Sequence, residues 1–148
     1  MHTFYSLPVS FQQLTARSKL ARCSLEDSVR QHIYLILMTK LGEYAYDPQF
    51  GCEIWEQDFE VVSKADTWKM QMEKRITATI RKKEKERLAP DDLRVKVSIE
   101  EPVWEDAGHK ERRVRKKLTI RVSARLKATN EPLPDLEYTL FFSPFSLD

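Results

Sequence analysis

The stretch LRVKVSIE (residues 93–100) decides the fold of this chain. Leu93, Val95, Val97 and Ile99 alternate with Arg94, Lys96, Ser98 and Glu100. That two-residue period belongs to a strand with one face buried and the other in water. The period returns in KLTIRVSARLK (117–127), where Leu118, Ile120, Val122, Ala124 and Leu126 form the apolar set. It returns again in LEYTLFF (136–142), with Leu136, Tyr138, Leu140 and Phe142. The connectors 101–113 and 128–135 carry Pro102, Gly108, Pro132 and Pro134, residues that interrupt strands. Three successive strands predict an antiparallel meander with one apolar face.

That face needs a cover, and two helical patterns precede it. After Ser24, a candidate N-cap with Asp27 three residues on, Leu25, Val29, Ile33, Ile36, Leu37 and Leu41 recur at helical spacing, and Gly42 stands where a C′ residue is expected. The run Ile33–Met38 is apolar nearly all round, so it should be buried on several sides. A second helix should start at Ser63 or Asp66, carry the stripe Trp68, Met72, Ile76 and Ile80, and run to about Leu88, before Ala89-Pro90-Asp91-Asp92. Between the helices lies an aromatic connector with Tyr44, Tyr46, Phe50, Trp55 and Phe59. The predicted class is α+β, two main helices on an antiparallel sheet of about three strands. Residues 1–22 show no period and Pro8 breaks them, so 1–23 reads as an extended arm and 24–148 as one domain.

Composition narrows the classes. In 148 residues, 41% are hydrophobic, 32% are charged and only 3 are Gly, which excludes collagen-like, low-complexity and wholly disordered chains. The longest apolar run is six residues, against the roughly 20 a membrane-spanning helix needs, and no secretory h-region opens the chain. Membrane insertion is not expected, and the chain reads as cytoplasmic. Cys23 and Cys52 read as ordinary thiols, in neither a disulfide framework nor a C-x-x-C pair. No cofactor is implied.

The net charge of +2 conceals segregation. Between Glu43 and Glu60 stand Glu43, Asp47, Glu53, Glu56, Asp58 and Glu60 with no Lys or Arg; His109–Lys127 is strongly basic; from Ala128 onward the chain again lacks Lys and Arg. Such blocks indicate complementary faces, within the fold or toward a partner. Pleating should place Arg113, Arg115, Lys117, Arg121 and Arg125 beside Arg94 and Lys96 on the outer sheet face. That face could be simply solvated, could dock on an acidic protein, or could bind nucleic acid through residues such as Arg121 and Arg125. Nucleic acid is the weaker partner, because Phe141 is the one aromatic of matching parity and sheet-based RNA readers stack two or three. Catalytic signals are sparse: His2, His32 and His109 are scattered, and Glu43, Asp47, Glu53 and Glu56 offer a carboxylate pair only as any acidic loop would.

One string of residues is more specific. Ser28-Val29, Ile33, Leu37, Thr39, Gly42-Glu43 and then Pro48-Gln49-Phe50-Gly51 resemble the contractile-tail baseplate wedge family, which includes a phage tail baseplate subunit and the type VI secretion subunit TssE. The resemblance covers residues 24 to about 100. It implies a fold like the linking domain of the tail sheath, and a structural, non-enzymatic role. It also implies partners: other wedge subunits of the TssF, TssG and TssK type, and contractile sheath subunits whose arms add strands to an open sheet edge. The family's Glu-Pro-Arg docking motif corresponds here to Glu84-Lys85-Glu86-Arg87-Leu88, with Glu86 at the proline position and either Glu84 or Glu86 as the replacement carboxylate. By the same resemblance, Glu84, Glu86, Arg87 and Leu88 would meet the wedge, and a charge reversal at Arg87 should weaken that contact without unfolding the domain. Leu136–Phe142 lacks Lys, Arg and Pro, the residues that block edges, so Thr139 and Leu140 are the expected sheath-facing positions.

Overall fold

A computed structural model describes residues 3–56, 65–100, 103–104, 113–114 and 116–142. The three alternating stretches form strands β3 (Arg94–Glu100), β6 (Lys116–Ser123) and β7 (Leu136–Phe142), preceded by helices α2 (Leu25–Met38) and α3 (Ala65–Lys83). The three strands make one antiparallel sheet in the order β3-β6-β7, with Val97 opposite Ile120 and Ile120 opposite Tyr138. A small hairpin of β4 (Val103–Trp104) and β5 (Arg113–Val114) interrupts the meander between β3 and β6. The class is α+β, as the alternation predicts.

The helices cover one sheet face. Val29, Ile33 and Leu37 of α2 and Met72, Ile76 and Ile80 of α3 lie in one buried cluster with Val95, Val97, Leu118, Ile120, Val122 and Leu140; Trp68 packs against it partly buried. Burying such aliphatic side chains contributes roughly 1.5–3 kcal/mol each, so this layer contact dominates the fold's stability. Tyr138 joins it from β7, with its hydroxyl 3.3 Å from the Arg30 carbonyl of α2. Burial pushes the Tyr138 phenol up to about 12, which keeps it a donor.

Helix ends differ from their sequence reading for identifiable reasons. Ser24 is the N-cap of α2: its Oγ accepts from the Asp27 amide (3.0 Å) and its hydroxyl donates to the Asp27 carboxylate (2.7 Å). The helix ends at Met38 with Thr39 as C-cap, so Gly42 is not its C′ residue. Thr39 leaves the helix because its carbonyl accepts the Cys52 amide (2.8 Å) while Lys40 bridges Cys52 in parallel. In α3, Ser63 lies outside the described residues and Asp66 sits in the first turn. The helix stops at Lys83 rather than near Leu88. Leu88 instead enters the core and bridges Leu126, while the Lys127 amide donates to the Arg87 carbonyl (2.8 Å).

The N-terminal arm holds more structure than an aperiodic stretch suggests. β1 (Phe4–Tyr5) pairs antiparallel with β2 (Arg22–Cys23), and between them α1 (Phe11–Arg17) runs from an N-cap at Ser10 to a left-handed Ser18. Seven residues make two turns, too few to establish a period. The Leu7 amide donates to the Gln31 side chain (3.2 Å), which holds this arm on α2.

The Pro48-Gln49-Phe50-Gly51 loop folds back onto the end of α2. Gly51 has φ +123°, and a Cβ there would lie 2.6 Å from the Thr39 carbonyl oxygen and 2.8 Å from that of Lys40. Gly42 also has positive φ, +78°, yet a Cβ there meets nothing within 4 Å. Gly51→Ala should therefore cost roughly 3 kcal/mol or more, and Gly42→Ala about 1–2 kcal/mol. Urea unfolding of both variants reads the difference; equal losses would show that the close approach at Gly51 is not required.

Candidate functional site

The two outer edges of the sheet are not equivalent. α3 packs along β3, and its Glu73 carboxylate accepts the outward-pointing amide of Val97 at 2.9 Å. Since Val97 directs its amide away from β6, Val97–Ile120 is a non-hydrogen-bonded pair. Ile120 then directs its backbone groups toward β7, so Leu136, Tyr138 and Leu140 bond back to β6. Glu137, Thr139 and Phe141 consequently turn their N–H and C=O groups outward. Among the described residues nothing pairs with that edge. Thr139 is exposed and opposite Thr119, whereas Leu140 is buried, so of the two expected partner-facing positions Thr139 reaches the edge and Leu140 belongs to the core.

Three cations of the basic face are paired from within the fold. Lys117 pairs with Glu100 (3.1 Å), Arg121 with Glu137 (2.7 Å) and Arg125 with Asp92 (3.3 Å), while Arg125 also donates to the Asn130 carbonyl (2.6 Å). Lys96 stands directly opposite Arg121, and the Glu137 carboxylate on the other flank draws Arg121 away; that hydrogen bond holds the Arg121 guanidinium above its ordinary range. Arg113 belongs to the β4–β5 hairpin, in register with Trp104, rather than to the three-stranded sheet, and Arg115 lies outside the described residues.

Glu84 and Arg87 turn inward. The Glu84 side chain is 0% exposed, and it accepts two hydrogen bonds from Arg87, Nε to Oε2 at 2.7 Å and Nη2 to Oε1 at 2.6 Å. His32 Nδ1 of α2 lies 2.5 Å from the same Oε1. Arg87 continues to the Ser28 hydroxyl (2.9 Å) and stacks over Phe4 (5.9 Å), so the knot ties the end of α3 to α2 and to the arm. A buried carboxylate left unpaired costs several kcal/mol; bidentate guanidinium contact offsets that cost. Glu84, not Glu86, is therefore the carboxylate partnered with Arg87. Leu88 is buried too, and only Glu86 of the four expected wedge-docking residues is fully exposed. A charge reversal at Arg87 cannot leave the fold untouched. Sequence reasoning could have found the inward turn: Glu84 continues the four-residue stripe of Met72, Ile76 and Ile80, and His32 follows Ser28 by one helical turn.

The acidic loop is held by its neighbours. Glu43 accepts the Lys40 amide (2.8 Å), Glu53 pairs with Arg75, and Asp47 pairs with Lys83 (2.5 Å). The Lys83 hydrogen bond holds the Asp47 carboxyl below the usual carboxylate range. Glycoside hydrolysis needs the opposite, a carboxylic acid whose pKa is raised. Among the described residues no three His, Cys, Asp or Glu side chains group as a metal site, and no helix is long and apolar enough to cross a membrane. Burial pushes the Cys52 thiol up, away from reactivity.

Fold and edge together define a two-layer α+β module in which α3 packs along β3 and, among the described residues, no strand pairs with the outer edge of β7. The family model described as baseplate wedge protein gp25 matches residues 23–131, and the chain belongs to that family, the structural baseplate proteins of phage-like tails. The match extends beyond the helix-and-loop string into β6 and the start of its following loop. No curated protein matches the chain. A solved structure from Geobacter sulfurreducens, described as a candidate tail lysozyme, shares the fold at TM-score 0.51 and 21% identity, over 85% of this chain and 96% of that one.

Arg87→Glu should lower stability by about 3–5 kcal/mol, because it places a second carboxylate against buried Glu84. Glu86→Arg, on the exposed side of the same turn, should stay within about 0.5 kcal/mol of the parent. Denaturant midpoints of the two variants test this; an Arg87→Glu protein as stable as the parent would contradict the inward knot.

Proposed function

We propose that this chain is a structural wedge subunit of a contractile injection machine of the type VI secretion kind. It docks on neighbouring wedge subunits of the TssF, TssG and TssK type and starts sheath assembly by accepting a sheath strand on β7. The observation that carries this reading is the asymmetry of the sheet: α3 packs along β3 with Glu73 capping the Val97 amide, while among the described residues nothing pairs with the outward backbone groups of Glu137, Thr139 and Phe141 on β7. Main-chain hydrogen bonds supply affinity in strand addition, and an edge without Lys, Arg or Pro does not resist it. The exposed turn after α3, around Glu86, is the wedge-facing surface in this scheme, with Arg87 and Glu84 holding its shape from beneath.

Two other readings have less support. Ion pairs at Arg121 and Arg125 already neutralise the charges a nucleic-acid interface would use. A lysozyme-like activity, suggested by the description of the Geobacter structure, would need an accessible acid with a raised pKa; Asp47 is shifted the other way and Glu84 is enclosed. We therefore favour an assembly role over an enzymatic one.

Thr139→Pro tests the edge. Proline is tolerated on an edge strand where the amide faces outward, so the variant should fold and still enter the baseplate while sheath polymerisation is lost. Leu140→Pro is unsuitable, since it removes both a ladder donor and a buried side chain. Sheath of normal length assembled on a folded Thr139→Pro protein would sink the proposal.

A further inference from the structure

Beside the β7 edge lies a largely apolar groove of about 510 Å³, walled by Leu7 and Pro8 of the arm, Arg30, Gln31, Tyr34 and Leu35 of α2, and Tyr138 of β7. Its walls are incompletely covered: Leu7 is 46% exposed, Tyr34 49% and Leu35 38%. The rings of Tyr34 and Tyr138 stand 5.9 Å apart, so the groove begins where the helix-facing side of β7 ends. A strand added to β7 would lie about 4.8 Å beyond it and send every second side chain toward the helix layer, which is into this groove. In an antiparallel addition the residue opposite Tyr138 forms a non-hydrogen-bonded pair with it, the closer of the two pair types.

We propose that this groove is the side-chain socket of the β7 edge, and that its occupant is an extended arm of the neighbouring tail subunit bearing apolar side chains two residues apart. The inference rests on the strand-addition reading of β7 and adds to it the chemistry that selects the strand. The edge requires an extended occupant, because only a strand satisfies the outward groups of Glu137, Thr139 and Phe141 in sequence. The groove requires apolar residues at alternate positions, because its walls carry almost no polar surface able to orient anything else. Backbone pairing alone is indifferent to sequence; the Tyr34–Leu35–Tyr138 wall makes it selective. It also gives the N-terminal arm a task, since Leu7 and Pro8 close the groove's far side and are fixed there by the Leu7–Gln31 hydrogen bond.

The test compares Leu35→Lys and, made separately, Tyr34→Lys with Thr139→Pro, each in the otherwise intact machine in its native cell. Sheath assembly and co-purification of the sheath subunit are read beside the melting temperature of the purified variant. Both groove positions are exposed on a helix, so folding should be retained. Loss of a buried apolar contact should weaken sheath capture by roughly 10- to 100-fold. Loss in the groove variants and in Thr139→Pro supports the socket. Loss in Thr139→Pro with normal capture by both groove variants overturns the socket and leaves strand addition standing. Normal capture by all three overturns both. Loss in the groove variants with normal capture by Thr139→Pro shows an apolar site that takes no strand, which also overturns the inference. Sedimentation of the purified parent settles the remaining occupant: a dimer abolished by Leu35→Lys assigns the groove to a second copy and contradicts the proposal.

Discussion

A single buried carboxylate organises this molecule. Glu84 closes the apolar stripe of α3, where a carboxylate without donors would be costly; Arg87 turns back over it, and His32 of α2 meets the same carboxylate. That requirement ends α3 at Lys83, short of the Leu88 to which the sequence pattern extended it. It sends Leu88 into the core, and it lets the backbone on either side pair with the segment after β6 through Ala89–Arg125 and Lys127–Arg87 hydrogen bonds. The arm is drawn in by the same cation, which stacks over Phe4. Helix layer, sheet and arm thus meet at one ionic knot.

With the helices fixed in this way, the two sheet edges acquire different fates. α3 lies against β3 and caps it with Glu73, while α2 stands beside β7 without covering it. Among the described residues the result is a sheet with α3 along β3 and no strand on the outer edge of β7, where an apolar groove is lined by Tyr138. Charge follows the same logic. Glu100, Glu137 and Asp92 pair with Lys117, Arg121 and Arg125, so these three charges of the basic block are met within the fold. Those pairs are exposed and contribute little stability.

Much of this was legible before folding. The alternation at 93–100, 118–126 and 136–142 fixed three strands and their buried faces, because a two-residue period has few other physical meanings. The stripes Val29–Leu37 and Met72–Ile80 placed both helices, and the Gly42 and Pro48–Gly51 string identified the family. Three things were not legible. α1 is too short to show a period. The ends of α2 and α3 are set by long-range contacts at Thr39 and Glu84, which local propensity cannot see. The composition of Leu136–Phe142 pointed to β7 as an edge, but which strand α3 lies against is a long-range matter that the strands do not record. The Glu84–Arg87 pair misled for a related reason: charged residues at a helix end usually face water, and here the stripe carries one of them inward.

Photo-crosslinking in the assembled machine tests the central claim most directly. A photoreactive residue at Thr139, on the β7 edge, should crosslink to the sheath subunit, and one at Ser98, on the helix-flanked β3, should not. Sheath crosslinks from position 98 with none from 139 would contradict the assignment of β7 as the edge on which the sheath begins.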